Sequence, residues 1–229
     1  MGRLGYETYN GLSYKCLAVL ITNQHLLAPA HCFDDNEKMP VSYVLLGDWN
    51  PTNSYMDTDC DDQHMCNRLP KLMEIDEIII NPDYNSEDLT NDISVLKLSQ
   101  PIMHFSSSIR PICLPSINSQ ISNQHIGELL YSSGFALDAS LRYKLKDLVQ
   151  IVGNRQCRRT LANLKHLSAA IPYEMNHICG VGSNSRMPLL KGSALMGVHI
   201  EGQELQNYYL IGLLVDGSQQ TVNRYTVIC

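Results

Sequence analysis

Apolar residues in this chain come in runs too short to build helices. They gather over residues 16–22, 41–46, 72–80, 93–98, 148–152, 194–198 and 208–215. Each run has the length of a strand, and turn signals such as Asn81-Pro82, Gln100-Pro101 and Asp216-Gly217 separate them. The segments between are polar loops rather than amphipathic helical patterns. Two stretches of mixed polarity, 141–146 and 155–167, are the main helix candidates, both expected on the surface. An all-β sandwich or barrel follows. No repeat and no Gly/Ser- or Pro-rich linker divides the chain, which reads as one domain.

Composition narrows the function. A hydrophobic content of 44% over 229 residues supports a substantial core and excludes a disordered chain. Seventeen Lys and Arg against 23 Asp and Glu leave a net charge of -6, the wrong sign for a nucleic-acid partner. Apolar runs such as 78–80 and 210–215 fall far short of the ~20 residues that span a bilayer, so no membrane-spanning role is expected. Eight cysteines without a Cys-x-x-Cys pair point to an oxidising compartment. Residues 1–14 lack the apolar centre of a signal peptide, so the true N-terminus is expected elsewhere.

Within Leu26-Leu27-Ala28-Pro29-Ala30-His31-Cys32-Phe33, a histidine sits beside a cysteine at the end of an apolar strand. A lone histidine is more often structural, and only partners give it chemistry. Asn91-Asp92-Ile93-Ser94-Val95-Leu96-Lys97-Leu98 places an acid directly before an alternating strand, and Arg110-Pro111-Ile112-Cys113-Leu114-Pro115 follows. Together these segments resemble the trypsin/chymotrypsin-type (S1) serine endopeptidases over nearly the whole chain. The resemblance implies two six-stranded antiparallel β-barrels, approximately 1–115 and 116–229. It gives His31 the role of general base and Asp92 that of the acid fixing its tautomer.

A narrower likeness comes from Leu46-Gly47-Asp48-Trp49-Asn50, the acidic segment from Asp57 to Cys66, and Ile75 through Asn85. These look like the arthropod clip-domain serine proteases and their homologues, extracellular proteins of haemolymph immune cascades. The small loop between Cys60 and Cys66 is the most telling feature.

The resemblance breaks at the nucleophile. The family's Gly-Asp-Ser-Gly-Gly-Pro-Leu segment is replaced by Leu189-Leu190-Lys191-Gly192-Ser193-Ala194-Leu195. Alignment on Leu195 puts Lys191 where the serine belongs, and an ammonium supplies no hydroxyl for His31 to activate. Leu190 replaces the aspartate that would receive an activating N-terminal ammonium, and Leu189 replaces a glycine at the oxyanion donor. Ser193, two residues on, is the only nearby hydroxyl; an active endopeptidase using Ser193 with His31 and Asp92 is the rival reading. The implied substrate pocket is degraded too: Ser185 stands at the acidic specificity position, and Val215-Asp216-Gly217 replaces Ser-Trp-Gly.

By resemblance, Cys16 pairs with Cys32, Cys60 with Cys66 and Cys157 with Cys179. Cys113 and Cys229 are left over; in clip-bearing relatives the cysteine matching Cys113 reaches an upstream segment. Here Cys113 is expected either free or paired with Cys229. Cys60, His64 and Cys66 could instead ligate a metal, but the spacing is too compact for a structural zinc site. The neighbouring aspartates lack the spacing and glycine of a calcium loop, and solvation is the simpler reading. No metal and no cofactor is expected. Both ends look trimmed, with clip domain and activation segment absent and the first barrel incomplete.

The reading that results is a catalytically inactive serine protease homologue, secreted into haemolymph. Its expected work is to assist or regulate an innate-immune proteolytic cascade of the prophenoloxidase and melanisation type. Cascade proteases or their substrates, prophenoloxidase among them, would be its partners. A non-functional structural fragment is the remaining alternative.

Overall fold

A computed structural model of the chain describes residues 1–34, 38–115, 125–138, 141, 143–153, 155–157, 177–182, 188–202, 204–217 and 222–228. The first barrel consists of β1 (Gly2–Thr8), β2 (Gly11–Leu20), β3 (His25–Ala28), β4 (Val41–Leu46), β5 (Lys71–Ile80) and β6 (Ser94–Leu98). They close in the order β1-β2-β3-β6-β5-β4. The second barrel takes β7 (Leu129–Gly134), β8 (Leu145–Val152), β9 (His177–Gly182), β10 (Ala194–Glu201), β11 (Glu204–Gly217) and β12 (Val222–Val227). Its order is β10-β11-β12-β9-β8-β7, and every pairing in both barrels is antiparallel.

Strand β6 shows the half-buried pattern: Ser94, Leu96 and Leu98 turn inward, while Val95 and Lys97 are only partly covered. The run Cys16–Leu20 does not alternate in this way, because it is buried on both faces. Cys16, Ala18 and Leu20 fill the first barrel, while Val19 joins Leu27, Ala194, Leu210, Leu213 and Ile228 in the seam between barrels. Strand β11 repeats the device: Ile211 and Leu214 pack inside the second barrel, Leu210 and Leu213 in the seam. Each such leucine contributes about 1.5–3 kcal/mol of burial, so the seam is a third core that holds the two barrels in register.

Three expectations are corrected. The first barrel is not incomplete: β1 pairs with β2 on one side and β4 on the other. Among the described residues of 141–146 no helix forms, because Leu145 opens β8 opposite Gly134 and packs on the core of the second barrel. Of the 155–167 stretch, residues 155–157 are helical and the rest lies outside the described residues. Nor is the whole acidic segment solvated. Asp59 is 1% exposed, and its carboxylate accepts the backbone N–H groups of Trp49 and Asn50, both at 2.9 Å, and the side-chain amide of Asn53 at 3.1 Å.

Beside it, Arg3 and Asp48 form a buried ion pair at 2.6 Å, with the guanidinium stacked 4.2 Å above the Tyr14 ring. Burial pushes the Asp48 carboxyl up to about 6, against the pull of Arg3. Trp49 stacks on Tyr143 of the second barrel, centroids 4.4 Å apart, and the Lys144 N–H donates to the Trp49 carbonyl at 2.9 Å. The Tyr143 hydroxyl donates to Asp62 at 3.2 Å. The loop closed by Cys60 and Cys66 is thereby clasped to the second barrel.

Candidate active site

Strand β3 delivers the chain through Pro29, in extended conformation, into a short 3-10 turn over Ala30–Phe33 that carries His31. Asp92 sits two residues before β6, the neighbour of β3, so the sheet itself brings the two residues together. Asp92 is fully buried. Its Oδ1 accepts the His31 backbone N–H at 2.8 Å and its Oδ2 accepts the ring at Nδ1, 2.6 Å away. With Nδ1 as donor, the His31 Nε2 carries the free lone pair. Ser94 anchors the same corner through its hydroxyl, which donates to the Ala28 carbonyl at 2.9 Å.

The loop before Asp92 holds two non-glycine residues in the left-handed region, Leu89 at φ 59° and Asn91 at φ 52°. Its brace comes from the other barrel: His177 donates from Nε2 to the Leu89 carbonyl at 2.9 Å. Burial foremost, then the neighbouring Arg224 guanidinium, pulls the His177 imidazole down to about 4. The sequence reading assigned His177 nothing. No local signal marks it, because its partner lies 88 residues away.

The segment facing this corner comes from the loop before β10. Leu189 is buried in the core of the second barrel, and the Leu190 N–H donates to the Phe135 carbonyl at 2.8 Å. Lys191 is exposed, and its carbonyl accepts the Leu17 N–H at 2.8 Å, beside Cys16. Gly192 follows at φ +84°, pressed so closely on β2 that a Cβ would collide with the Leu17 carbonyl. Ser193 is wholly buried. Its hydroxyl donates to the Leu190 carbonyl at 2.6 Å and points at Gly134, leaving no room for a side chain there.

Of the implied substrate-binding residues, Val215 is buried and Asp216 is partly exposed, 3.9 Å from the buried Arg224. Gly217 pairs with Asn223 between β11 and β12. Ser185 lies outside the described residues.

Disulfides join Cys16 to Cys32, Cys60 to Cys66 and Cys157 to Cys179. The metal reading of Cys60, His64 and Cys66 falls with the second of these. The single His/Cys/Asp/Glu cluster close enough to share a metal among the described residues is Cys16, His31 and Cys32, whose sulfurs are bonded to each other. Cys113 is free and exposed; Cys229 lies outside the described residues. No helix among the described residues is long and apolar enough to cross a membrane.

Two closed antiparallel barrels, with a histidine and a buried aspartate locked together beside their junction, define the class of trypsin-like two-barrel proteins. The chain belongs to the Trypsin family, whose model matches residues 3–216. It is 28% identical to the CLIP domain-containing serine protease HP8 of Bombyx mori, over 95% of this chain and 58% of that protein. It is 26% identical to phenoloxidase-activating factor 1 of Holotrichia diomphalia, over 94% of this chain and 58% of that protein. The chain thus spans 58% of the length of these relatives. Among solved structures, the Drosophila Grass clip serine protease of the Toll pathway superposes with a TM-score of 0.77 at 19% identity, over 99% of this chain and 64% of that one.

Proposed function

We propose that this chain is a catalytically inactive member of its protease family, acting outside the cell as a cofactor or regulator of an innate-immune proteolytic cascade. One observation carries the loss of catalysis. The segment that should present a nucleophile offers an exposed lysine at residue 191, and its nearest hydroxyl, on Ser193, is buried and bonded to Leu190. The base and its orienting acid, His31 and Asp92, are left without an acyl acceptor. Leu190, in place of an acid, supplies no carboxylate to receive an activating ammonium.

The cascade role rests on likeness to relatives named for phenoloxidase activation and for melanisation. Partners are then cascade proteases or substrates such as prophenoloxidase. Three disulfides are consistent with secretion.

The deciding experiment is labelling of disulfide-bonded protein with a fluorophosphonate serine-hydrolase probe, beside Ser193→Ala and an active trypsin-like control. The expected result is no label on the folded wild-type chain. Label that disappears in Ser193→Ala would overturn the reading and restore an active endopeptidase built on Ser193.

A further inference from the structure

Accepting the inactive-site reading, we infer that the His31–Lys191 corner is a binding site for a peptide carboxylate. Lys191 is exposed and makes no ion pair among the described residues. Its backbone is fixed: the carbonyl is bonded to Leu17, and Gly192 is wedged against the same strand. Lys191 bridges to Cys16, whose disulfide partner Cys32 is the residue after His31. The backbones of Lys191 and His31 are therefore tied to one corner through the Cys16–Cys32 disulfide.

The imidazole is prepared for an anion. Asp92 occupies Nδ1 and the backbone N–H of His31, while among the described residues Nε2 has only the Cys32 sulfur, 3.9 Å away. A carboxylate arriving at Nε2 makes the ring a donor on both sides. The proton it takes up is stabilised by Asp92 behind and by the ligand in front, and the Lys191 ammonium adds a second charge-assisted donor. In an active relative of this fold a hydroxyl would stand between histidine and ligand. Here the Ser193 hydroxyl is spent on Leu190 and does not compete.

Two sources supply this chemistry: the free C-terminus that a protease leaves on a cleaved chain, and an aspartate or glutamate side chain. The experiment is an NMR titration following the His31 imidazole signals with three short peptides. The first has neutral side chains and a free α-carboxylate, the second is its C-terminal amide, and the third is an amide with one internal glutamate. Saturable shifts with the first peptide assign the site to a chain end, and with the third to an acidic side chain. The neutral amide should shift nothing.

Lys191→Met should weaken the carboxylate peptide roughly tenfold, the effect of removing a charged hydrogen-bond partner, and Lys191→Arg should restore most of it. Equal shifts from the neutral amide, or unchanged affinity in Lys191→Met, would overturn the inference. Fluorophosphonate labelling is scored on the same samples. An unlabelled protein that ignores carboxylates sinks this inference alone, whereas a labelled one sinks the inactive-site reading.

Discussion

The two halves of the candidate site are built to different standards. On the first-barrel side, Asp92 is fully buried and holds both the ring and the backbone of His31, while Ser94 and His177 brace the surrounding chain. On the second-barrel side, the backbone is equally well seated, through Leu17, Phe135 and Leu214, yet the side chain it presents is an exposed lysine that makes no ion pair among the described residues. On the proposed reading, scaffold and chemistry have separated. The hydrogen bonds that shape the loop come from the main chain and tolerate almost any side chain, whereas nucleophilic chemistry depends on one hydroxyl at one position.

Gly192→Ala should break the second-barrel half outright. A Cβ there combines a left-handed backbone with a collision against the Leu17 carbonyl, and the expected loss is roughly 3 kcal/mol or more. A much lower melting temperature, or failure to accumulate folded protein, is the expected observation; a native melting curve would show the wedge to be dispensable.

The brace at His177 predicts a pH dependence. Its imidazole is held down at about 4 from an unfolded value of 6.5, so the unfolded chain binds a proton that the folded chain refuses. Stability from this residue is complete above pH 6.5 and is lost as pH falls towards 4, by on the order of 3 kcal/mol. Asp48, raised from 3.8 to about 6, works in the opposite sense: its contribution is lost as pH rises through that window. Urea midpoints from pH 4 to 7 for wild type and His177→Gln separate the two. The variant keeps a donor for Leu89 and should lose the acid-side decline; an unchanged profile would exclude His177 as its source.

Asp92→Ala should cost about 1–3 kcal/mol, because the His31 backbone N–H and ring lose a buried acceptor. Ser193→Ala removes one buried hydrogen bond, at about 1 kcal/mol. Lys191→Ala should stay within about 0.5 kcal/mol, as for most exposed substitutions. Chemical denaturation of the three variants together tests the asymmetry, and a Lys191 effect as large as that of Asp92 would contradict it.

Much of the fold was legible in the residues. The runs over 41–46, 72–80 and 93–98 became β4, β5 and β6 within a residue of the expected bounds. Strands β1, β7, β9 and β12 escaped because glycines and polar residues interrupt their pattern. Arg3 in β1 and Arg224 in β12 are buried, and acids that face them lie 45 and 8 residues away in sequence. Asp59 escaped for the same reason: a buried carboxylate looks like a solvated one until the N–H groups that hold it are in place.

Short apolar runs were enough, in sequence alone, to point to an all-β sandwich or barrel, because strand period is a short-range property; the two-barrel trypsin type came from the resemblance that the histidine and aspartate segments carry. That Leu189-Leu190-Lys191 stands where the resemblance expects Gly-Asp-Ser was an equally local reading, since it concerns only which side chains exist. Tertiary structure alone decided that Ser193 is buried against Leu190, that His177 braces the Asp92 loop, and that Arg3 neutralises Asp48. Each depends on which distant backbone groups arrive beside a polar atom, and only the closing of the barrels determines that.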